Sequence, residues 1–203
     1  MSGIAGIVLA AGEGRRAGGT KALLKIGSET FLERIVTAIR GAGCEPVIVV
    51  GGAEGPRVGA EANRLGASFV CNANWQNGQF SSLRVGSASV RSSGTAALVA
   101  LVDHPLVRVE TYRALLDAFG KSPGRIVIPL CEDTRTHRTA RGHPVIIPAD
   151  VLAEIAVASE DVTLRDIISR NSDLVLEARV DDPGVLKDID TAADLKEFER
   201  PVV

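Results

Sequence analysis

A chain of 203 residues, of which 45% are hydrophobic and 24% charged, is long enough to bury a sizeable core and too apolar to be disordered. Its formal net charge of -2 and its 3% of aromatic residues exclude a broad electrostatic or stacking surface for nucleic acid, so any bound anion must be held by a local cluster. Cys44, Cys71 and Cys131 form no C-x-x-C pair, no apolar stretch is long enough to span a bilayer, and the N-terminus lacks a charged region followed by a cleavage site; the expectation is a cytoplasmic protein with no zinc, disulfide or membrane partner.

Ile4–Ala11 is a continuous apolar run ending in glycine, the pattern of a buried parallel strand. Phe31, Leu32, Ile35, Val36 and Ile39 then recur at helical spacing, with Ser28 as the expected N-cap and Gly41 and Gly43 as the stop. Pro46–Val50 is a second strand running into Gly51 and Gly52, and Ser68–Cys71 is a short third. Gln79–Val90 reads as a helix and Ala96–Val102 as another buried strand. Glu110–Phe119 is a helix with Tyr112, Leu115, Leu116 and Phe119 on one face and Gly120 as its terminator. Arg125–Pro129 and Pro144–Pro148 form two strands joined by a polar connection. Helices over Asp150–Ala158 and Leu164–Ser169 and a late strand at Leu174–Val180 follow. A last helix over Thr191–Phe198 opens on the capping-box pair Thr191 and Asp194. Strands alternating with helices predict an α/β fold of three layers, its central sheet mostly parallel, in one domain spanning residues 1–203.

The first strand leads into Leu9-Ala10-Ala11-Gly12-Glu13-Gly14-Arg15-Arg16-Ala17-Gly18-Gly19-Thr20-Lys21, a first βα loop at the edge of the sheet where α/β folds bind ligands. Glycines let backbone N–H groups approach a phosphate, and Arg15, Arg16 and Lys21 add positive charge. Gly12-x-Gly14-x-x-Ala17 formally fits a dinucleotide fingerprint and would make the chain a NAD(P)-binding oxidoreductase. That fingerprint also needs an acidic residue at the end of the second strand, which here ends in Gly51-Gly52, and a helix starting directly on the glycines. A P-loop needs lysine after its last glycine and then Ser or Thr, and Gly19-Thr20-Lys21-Ala22 offers neither. Chemistry at the α-phosphate of a nucleoside triphosphate, where cations stabilise the equatorial oxygens and the departing pyrophosphate, suits the loop best.

Asp103 ends a buried strand before His104-Pro105. There it can reach a metal on a triphosphate or simply form a turn. Asp188 and Asp190 project to opposite sides of an extended segment, so at most one faces such a metal. Asp190 is preferred, Asp188 is the reserve, and a helix-dipole role competes. Gly78, Ser81 and Ser82 stand at a helix start, where a cap is the reading from the residues alone. Arg135, Arg138 and Arg141 lie in Glu132–Arg141, read as a solvated connection.

L-A-A-G-x-G-x-R-x-G followed by lysine resembles the signature of the MobA-like nucleotidyltransferase superfamily, and within it the molybdenum cofactor cytidylyltransferases. Four further motifs follow in the family's order. They are N-x-x-W-x-x-G-x-x-x-S from Asn72 to Ser82, Asp103 in the place of the family's Asp-Gln-Pro aspartate, Gly142-His143-Pro144-Val145, and Asp188-Ile189-Asp190-Thr191. Two positions depart from the pattern: Ala17 stands where a bulky residue is usual, and His104 replaces glutamine. The resemblance implies Mg²⁺-dependent transfer of a nucleoside monophosphate from an NTP to a phosphorylated small-molecule acceptor. Ala10-Ala11-Gly12 favours CTP over GTP, and the acceptor is most closely molybdopterin cofactor, with a sugar phosphate as the alternative. It assigns Leu9, Ala10, Ala11, Gly12, Gly14, Lys21, Gly78, Ser82 and Asp103 to the nucleotide. Arg15, Arg16, Lys21 and Asp103 are assigned to catalysis, Asp103 and Asp190 to the metal, and His104 and His143 to the acceptor. A contact with a molybdoenzyme or its chaperone is left open.

Overall fold

The computed structural model describes residues 3–90, 96–133 and 136–199. From the N-terminus the chain forms β1 (Ala5–Ala10), a small hairpin of β2 (Lys25–Ile26) and β3 (Glu29–Thr30), α1 (Phe31–Gly41), β4 (Val47–Gly51), α2 (Gly55–Arg64) and β5 (Ser68–Cys71). It continues through α3 (Gln79–Val90), β6 (Ala96–Leu101), α4 (Val109–Lys121), β7 (Ile126–Asp133), β8 (Arg138–Arg141) and β9 (Val145–Pro148). The last elements are α5 (Ala149–Val157), α6 (Leu164–Arg170), β10 (Val175–Arg179) and α7 (Ala192–Glu199).

The main sheet runs in the order β10-β7-β9-β6-β1-β4-β5, with β8 paired to β7. Neighbours along that order are parallel except at β9, which runs against both β6 and β7. β1 is buried on both faces, and its period-2 alternation divides the core. Val8 and Ala10 pack with Phe31, Leu32, Ile35, Val58 and Leu115 of α1, α2 and α4. Ile7 and Leu9 pack with Phe80, Leu83, Leu152, Ile155 and Ile167 of α3, α5 and α6. Three layers result, as the alternation of strands and helices requires. Each large side chain so buried contributes about 1.5–3 kcal/mol of transfer free energy. Among the described residues no helix is long and apolar enough to cross a membrane.

Three local expectations are corrected, and one helix is added. Ser28 is not the cap of α1: it sits exposed at the tip of the β2–β3 hairpin, and Thr30 Oγ1 accepts from the Glu33 N–H at 3.0 Å instead. α2 escaped the periodicity reading because its buried face is made of Gly55, Val58, Gly59 and Ala62, small residues that leave room for Phe69. Gly120 does not end α4, which runs to Lys121. The polar connection after Pro129 is partly strand: β7 extends to Asp133 and pairs antiparallel with β8 through Leu130 to Arg141. Within it Arg141 pairs with Glu177 at 2.7 Å, Arg138 is exposed, and Arg135 lies outside the described residues.

Candidate active site

The carboxyl ends of β1, β4, β5 and β6 open on one edge of the sheet, and backbone bonds carry the ladders past the strand ends. Val102 N–H donates to Leu9 at 3.1 Å, Ala53 N–H to Ala11 at 3.0 Å and Asn72 N–H to Gly51 at 2.7 Å. The glycine-rich loop leaves β1 at this edge. It passes through two short 3₁₀ turns, Arg15–Ala17 and Lys21–Leu23, before α1 begins at Phe31. Gly14 is its pinch point. Its carbonyl accepts from Ala17 N–H at 2.9 Å and Gly19 N–H at 3.3 Å. Its φ is +64°, and a Cβ there would lie 2.0 Å from the Gly19 oxygen, so only glycine closes the loop this way. A Cβ on Gly12, by contrast, would meet nothing within 4 Å. No protein neighbour demands glycine at that cleft-lining position.

Lys21 joins three distant parts of the chain. Its Nζ donates to Asp103 Oδ2 at 3.1 Å and to Asp190 Oδ1, while Arg16 holds Asp190 Oδ2 at 2.9 Å. Burial opposes the Lys21 ammonium, but hydrogen bonds and attraction from Asp190 and Asp103 together outweigh it and hold its pKa above the usual lysine value. The Lys21 hydrogen bond in turn holds the Asp190 carboxyl below the usual range, against a smaller opposing effect of burial. It is Asp190 that shares Lys21 with Asp103, while Asp188 is exposed. The backbone ties the two segments, with Ile189 N–H donating to the Asp103 carbonyl at 2.8 Å. Asp103 Oδ1 is buried without a hydrogen-bond partner, lying 4.0 Å from His104 Nε2. Two carboxylates meeting at one point, one with an unsatisfied buried oxygen, form a donor set that fits Mg²⁺, which keeps waters and phosphate oxygens as its other ligands. Among the described residues no group of three or more acidic, His or Cys side chains is arranged to hold a metal without such help.

The cleft beside this cluster has a volume of about 280 Å³ and is lined by Leu9, Ala11, Gly12, Gly14, Lys21, Trp75, Gln76, Gly78, Gln79, Ser82, Val102 and Asp103. Its far wall is fixed by a buried polar network. Asn72 Nδ2 donates to Ser81 Oγ at 2.8 Å and to Ser82 Oγ at 3.0 Å, and Asn72 Oδ1 accepts from Asn74 N–H at 3.0 Å. Trp75 packs against Gly52, where a Cβ would come within 2.4 Å of it, so it anchors this wall. Ser82 thus lines the cleft and also belongs to the network.

His104 and His143 form a tilted pair with ring centroids 5.6 Å apart. Burial pushes the His143 imidazole down to about 4, with His104 adding to the effect and Asp103 opposing it. His143 Nδ1 has no hydrogen-bond partner. The pair is seated by a segment that sequence reasoning passed over, Asp181 to Lys187. Val185 accepts from His143 N–H at 2.9 Å, and Gly142 fits only because it lacks a Cβ, which would lie 2.2 Å from the Val185 oxygen. Buried Asp182 fastens that segment to the start of α4. It accepts from Arg108 N–H at 2.9 Å, Thr111 Oγ1 at 2.6 Å and Gly184 N–H at 3.0 Å. The available signal was Asp182-Pro183-Gly184, a turn sequence directly after the late strand. Of the predicted residues, Leu9, Ala11, Gly12, Gly14, Lys21, Gly78, Ser82 and Asp103 line one cleft. Asp190 does not line it but is bonded to Lys21, which does, and Arg16 is bonded to Asp190; His104 lies beside Asp103 and pairs with His143. Ala10 is buried in the sheet core, and the Arg15 side chain lies outside the described residues.

The family described as MobA-like NTP transferase domain matches residues 6–175. Nicotine blue oxidoreductase of Paenarthrobacter nicotinovorans is 33% identical over 95% of this chain and 94% of its own length. A probable molybdenum cofactor guanylyltransferase of Opitutus terrae is 33% identical over 62% of this chain and 60% of its own length. Among solved structures, the Rv0371c protein of Mycobacterium tuberculosis is similar at 28% identity and a TM-score of 0.75, covering 97% of each chain. Its complex with manganese gives 27% identity and a TM-score of 0.68 over 97% of each chain.

Proposed function

This chain belongs to the MobA-like NTP transferase family, and from that premise we propose that it transfers a nucleoside monophosphate from an NTP to a phosphorylated small-molecule acceptor, releasing pyrophosphate. The observation that carries this reading is the convergence of Asp103 and Asp190 on Lys21, with Lys21 and Asp103 lining a cleft that Gly12, Gly14 and Gly78 also line. The loop amides around Gly12 and Gly14, with Lys21, Arg15 and Arg16, take the triphosphate, and the open space at Gly12 is where a ligand approaches the backbone. Asp103 and Asp190 hold Mg²⁺, which when bound neutralises charge on the triphosphate oxygens. The manganese complex of the mycobacterial relative supports a divalent cation in this fold.

A phosphate oxygen of the acceptor attacks the α-phosphorus in line, and the bond to pyrophosphate breaks. Because that nucleophile is already ionised at neutral pH, no general base is needed and catalysis is positioning and electrostatics. On the acceptor side, burial keeps His143 neutral, so it offers an uncharged hydrogen bond beside His104. Molybdopterin cofactor is the acceptor that the motifs favour. Ala10-Ala11-Gly12 speaks for CTP, and the Opitutus relative's name speaks for GTP.

A second reading has its own support. The Paenarthrobacter relative, similar along almost the entire chain, is named an oxidoreductase. The same cleft would then hold a reduced nicotinamide dinucleotide. β4 ends in Gly51 with Gly52 after it, and Glu54 is exposed and paired with Arg57, so the usual ribose-binding acid is not at the strand end. One panel separates the readings: pyrophosphate release with Mg²⁺ and each NTP, with and without molybdopterin, against oxidation of NADH or NADPH by nicotine blue. Pyrophosphate release only with CTP or GTP is expected. Dinucleotide oxidation with no pyrophosphate from any NTP would sink the transferase.

A further inference from the structure

Binding a phosphate does not require Lys21 to sit where it does. Its Nζ lies within hydrogen-bond distance of carboxylate oxygens from two segments 87 residues apart in sequence, Asp103 and Asp190, and is flanked on Asp190 by Arg16. We infer that in the nucleotide-free protein Lys21 occupies the place a divalent cation takes between Asp103 and Asp190. Metal and triphosphate then enter as a unit, and the lysine passes from the carboxylates to the phosphates.

Charge and satisfaction both lead there. Two carboxylates facing Lys21 and Arg16 form a locally neutral cluster, and a dication entering beside a seated ammonium is repelled. A lysine is a compact point charge on a flexible stem, suited to substituting for an ion and to moving away from it. Arg16 is 76% exposed, so its pair with Asp190 offers little resistance. Lys21 nevertheless satisfies the site only in part, since it leaves Asp103 Oδ1 buried and unpartnered. A hydrated ion brings further donors to that oxygen. A triphosphate supplies what is otherwise missing, an anionic seat for the displaced ammonium. Each ligand therefore raises the affinity for the other. This exchange deepens the reading of the cleft as an NTP site and rests on it for the identity of the anion.

The test uses Mn²⁺ alone, its unbound fraction read by electron paramagnetic resonance. The wild-type protein without nucleotide is expected to bind Mn²⁺ weakly, and Lys21→Met to bind it about tenfold more tightly or better. Lys21→Arg keeps a cation in place and stays weak. Adding Asp190→Asn to Lys21→Met removes the gain and so locates the ion. An unchanged affinity in Lys21→Met, or a gain that survives Asp190→Asn, overturns the exchange. Should Lys21→Met fail to fold, melting of the wild type decides. Mn²⁺ alone is expected to leave Tm unchanged and Mn²⁺ with pyrophosphate to raise it, and an equal rise with Mn²⁺ alone overturns the inference. A gain in Lys21→Met in a protein that turns over no NTP leaves the exchange standing and the transferase refuted. Turnover without any gain refutes only the exchange.

Discussion

The carboxyl edge of β6 and the irregular segment from Asp181 to Asp190 each deliver one carboxylate to Lys21, by opposite means. Asp103 follows two residues after a strand buried between parallel and antiparallel neighbours, so the ladder fixes its backbone. Asp190 follows a stretch with no ladder. Buried Asp182, the buried side chains of Val185 and Ile189, and one bond from Ile189 N–H to Asp103 at 2.8 Å hold it. A strand spreads its support over many bonds, whereas this segment concentrates it in a few, so single substitutions should act on the two carboxylates very differently.

The largest effect is expected at the rigid side and should be purely catalytic. Asp103→Asn is expected to lower pyrophosphate release by about 10²–10³-fold, as losing one preorganised electrostatic partner does. Melting temperature should hardly change, because β6 does not depend on that carboxylate. Near-normal turnover would remove Asp103 from the site. A large fall in Tm would show that the edge of β6 is no stiffer than the segment it faces.

Substitutions in the irregular segment should mix stability with activity. Asp182→Ala strips the acceptor from Arg108 N–H, Thr111 Oγ1 and Gly184 N–H, groups at or near a buried position, at a cost of about 1–3 kcal/mol. Gly142→Ala drives a methyl to 2.2 Å from the Val185 oxygen and is expected to cost a similar amount by overpacking, about 1–3 kcal/mol. Denaturant midpoints read the stability. Turnover at a temperature where both variants remain folded should still be depressed, since Asp190 has lost its seat. Full activity in folded Asp182→Ala would mean that Asp190 is held without Asp182, by Lys21, Arg16, Asp194 and the Ile189 bond to Asp103.

The same contrast explains what could be read from the sequence. Strands such as β1 and β6 announce themselves as unbroken apolar runs between turn signals, and α1 and α4 by large apolar residues at helical spacing. Asp103 and the glycine loop inherit their places from those elements. α2 was missed because Val58 is the one large apolar residue on its inner face, which Gly55, Gly59 and Ala62 complete, with the two glycines fitted to Phe69, a packing relation that no periodicity reveals. The role of Asp182 is likewise tertiary, since its partners at Arg108 and Thr111 lie more than seventy residues earlier. Gly14 falls between these cases. Its glycine was visible, but the reason for it, a carbonyl at Gly19 folded back to 2.0 Å from any Cβ, was not. Gly14→Ala is expected to weaken nucleotide binding by about tenfold or more while costing the fold about 1 kcal/mol, because the strain stays within an edge loop. Calorimetry with an unreactive NTP analogue beside a denaturant titration checks both halves.

The smallest effect separates the two regions by pH. Asp190 has a carboxyl pKa already below the ordinary 3.8, held there by the Lys21 hydrogen bond. Its contribution is present above that ordinary value and is lost only as pH falls through the lower native one. Lys21 works in the other direction. Its raised pKa makes its contribution complete below the ordinary 10.5 and lost only as pH rises through a still higher value. The Lys21–Asp190 pair is therefore nearly silent from about pH 5 to 6.5, and its contribution begins to fall only below that interval. His143 is not, because burial lowers its pKa from 6.5 to about 4. In that interval the unfolded chain takes up a proton that the native imidazole refuses, so stability should fall as pH drops from 6.5 towards 4. His143 N–H is bonded to Val185, so the slope reports on the docked irregular segment and not on β6. His143→Gln should flatten it, and the wild-type His143 ring resonances should stay constant above about pH 5. A ring that titrates near 6.5, or a slope unchanged in His143→Gln, would place the acid sensitivity elsewhere.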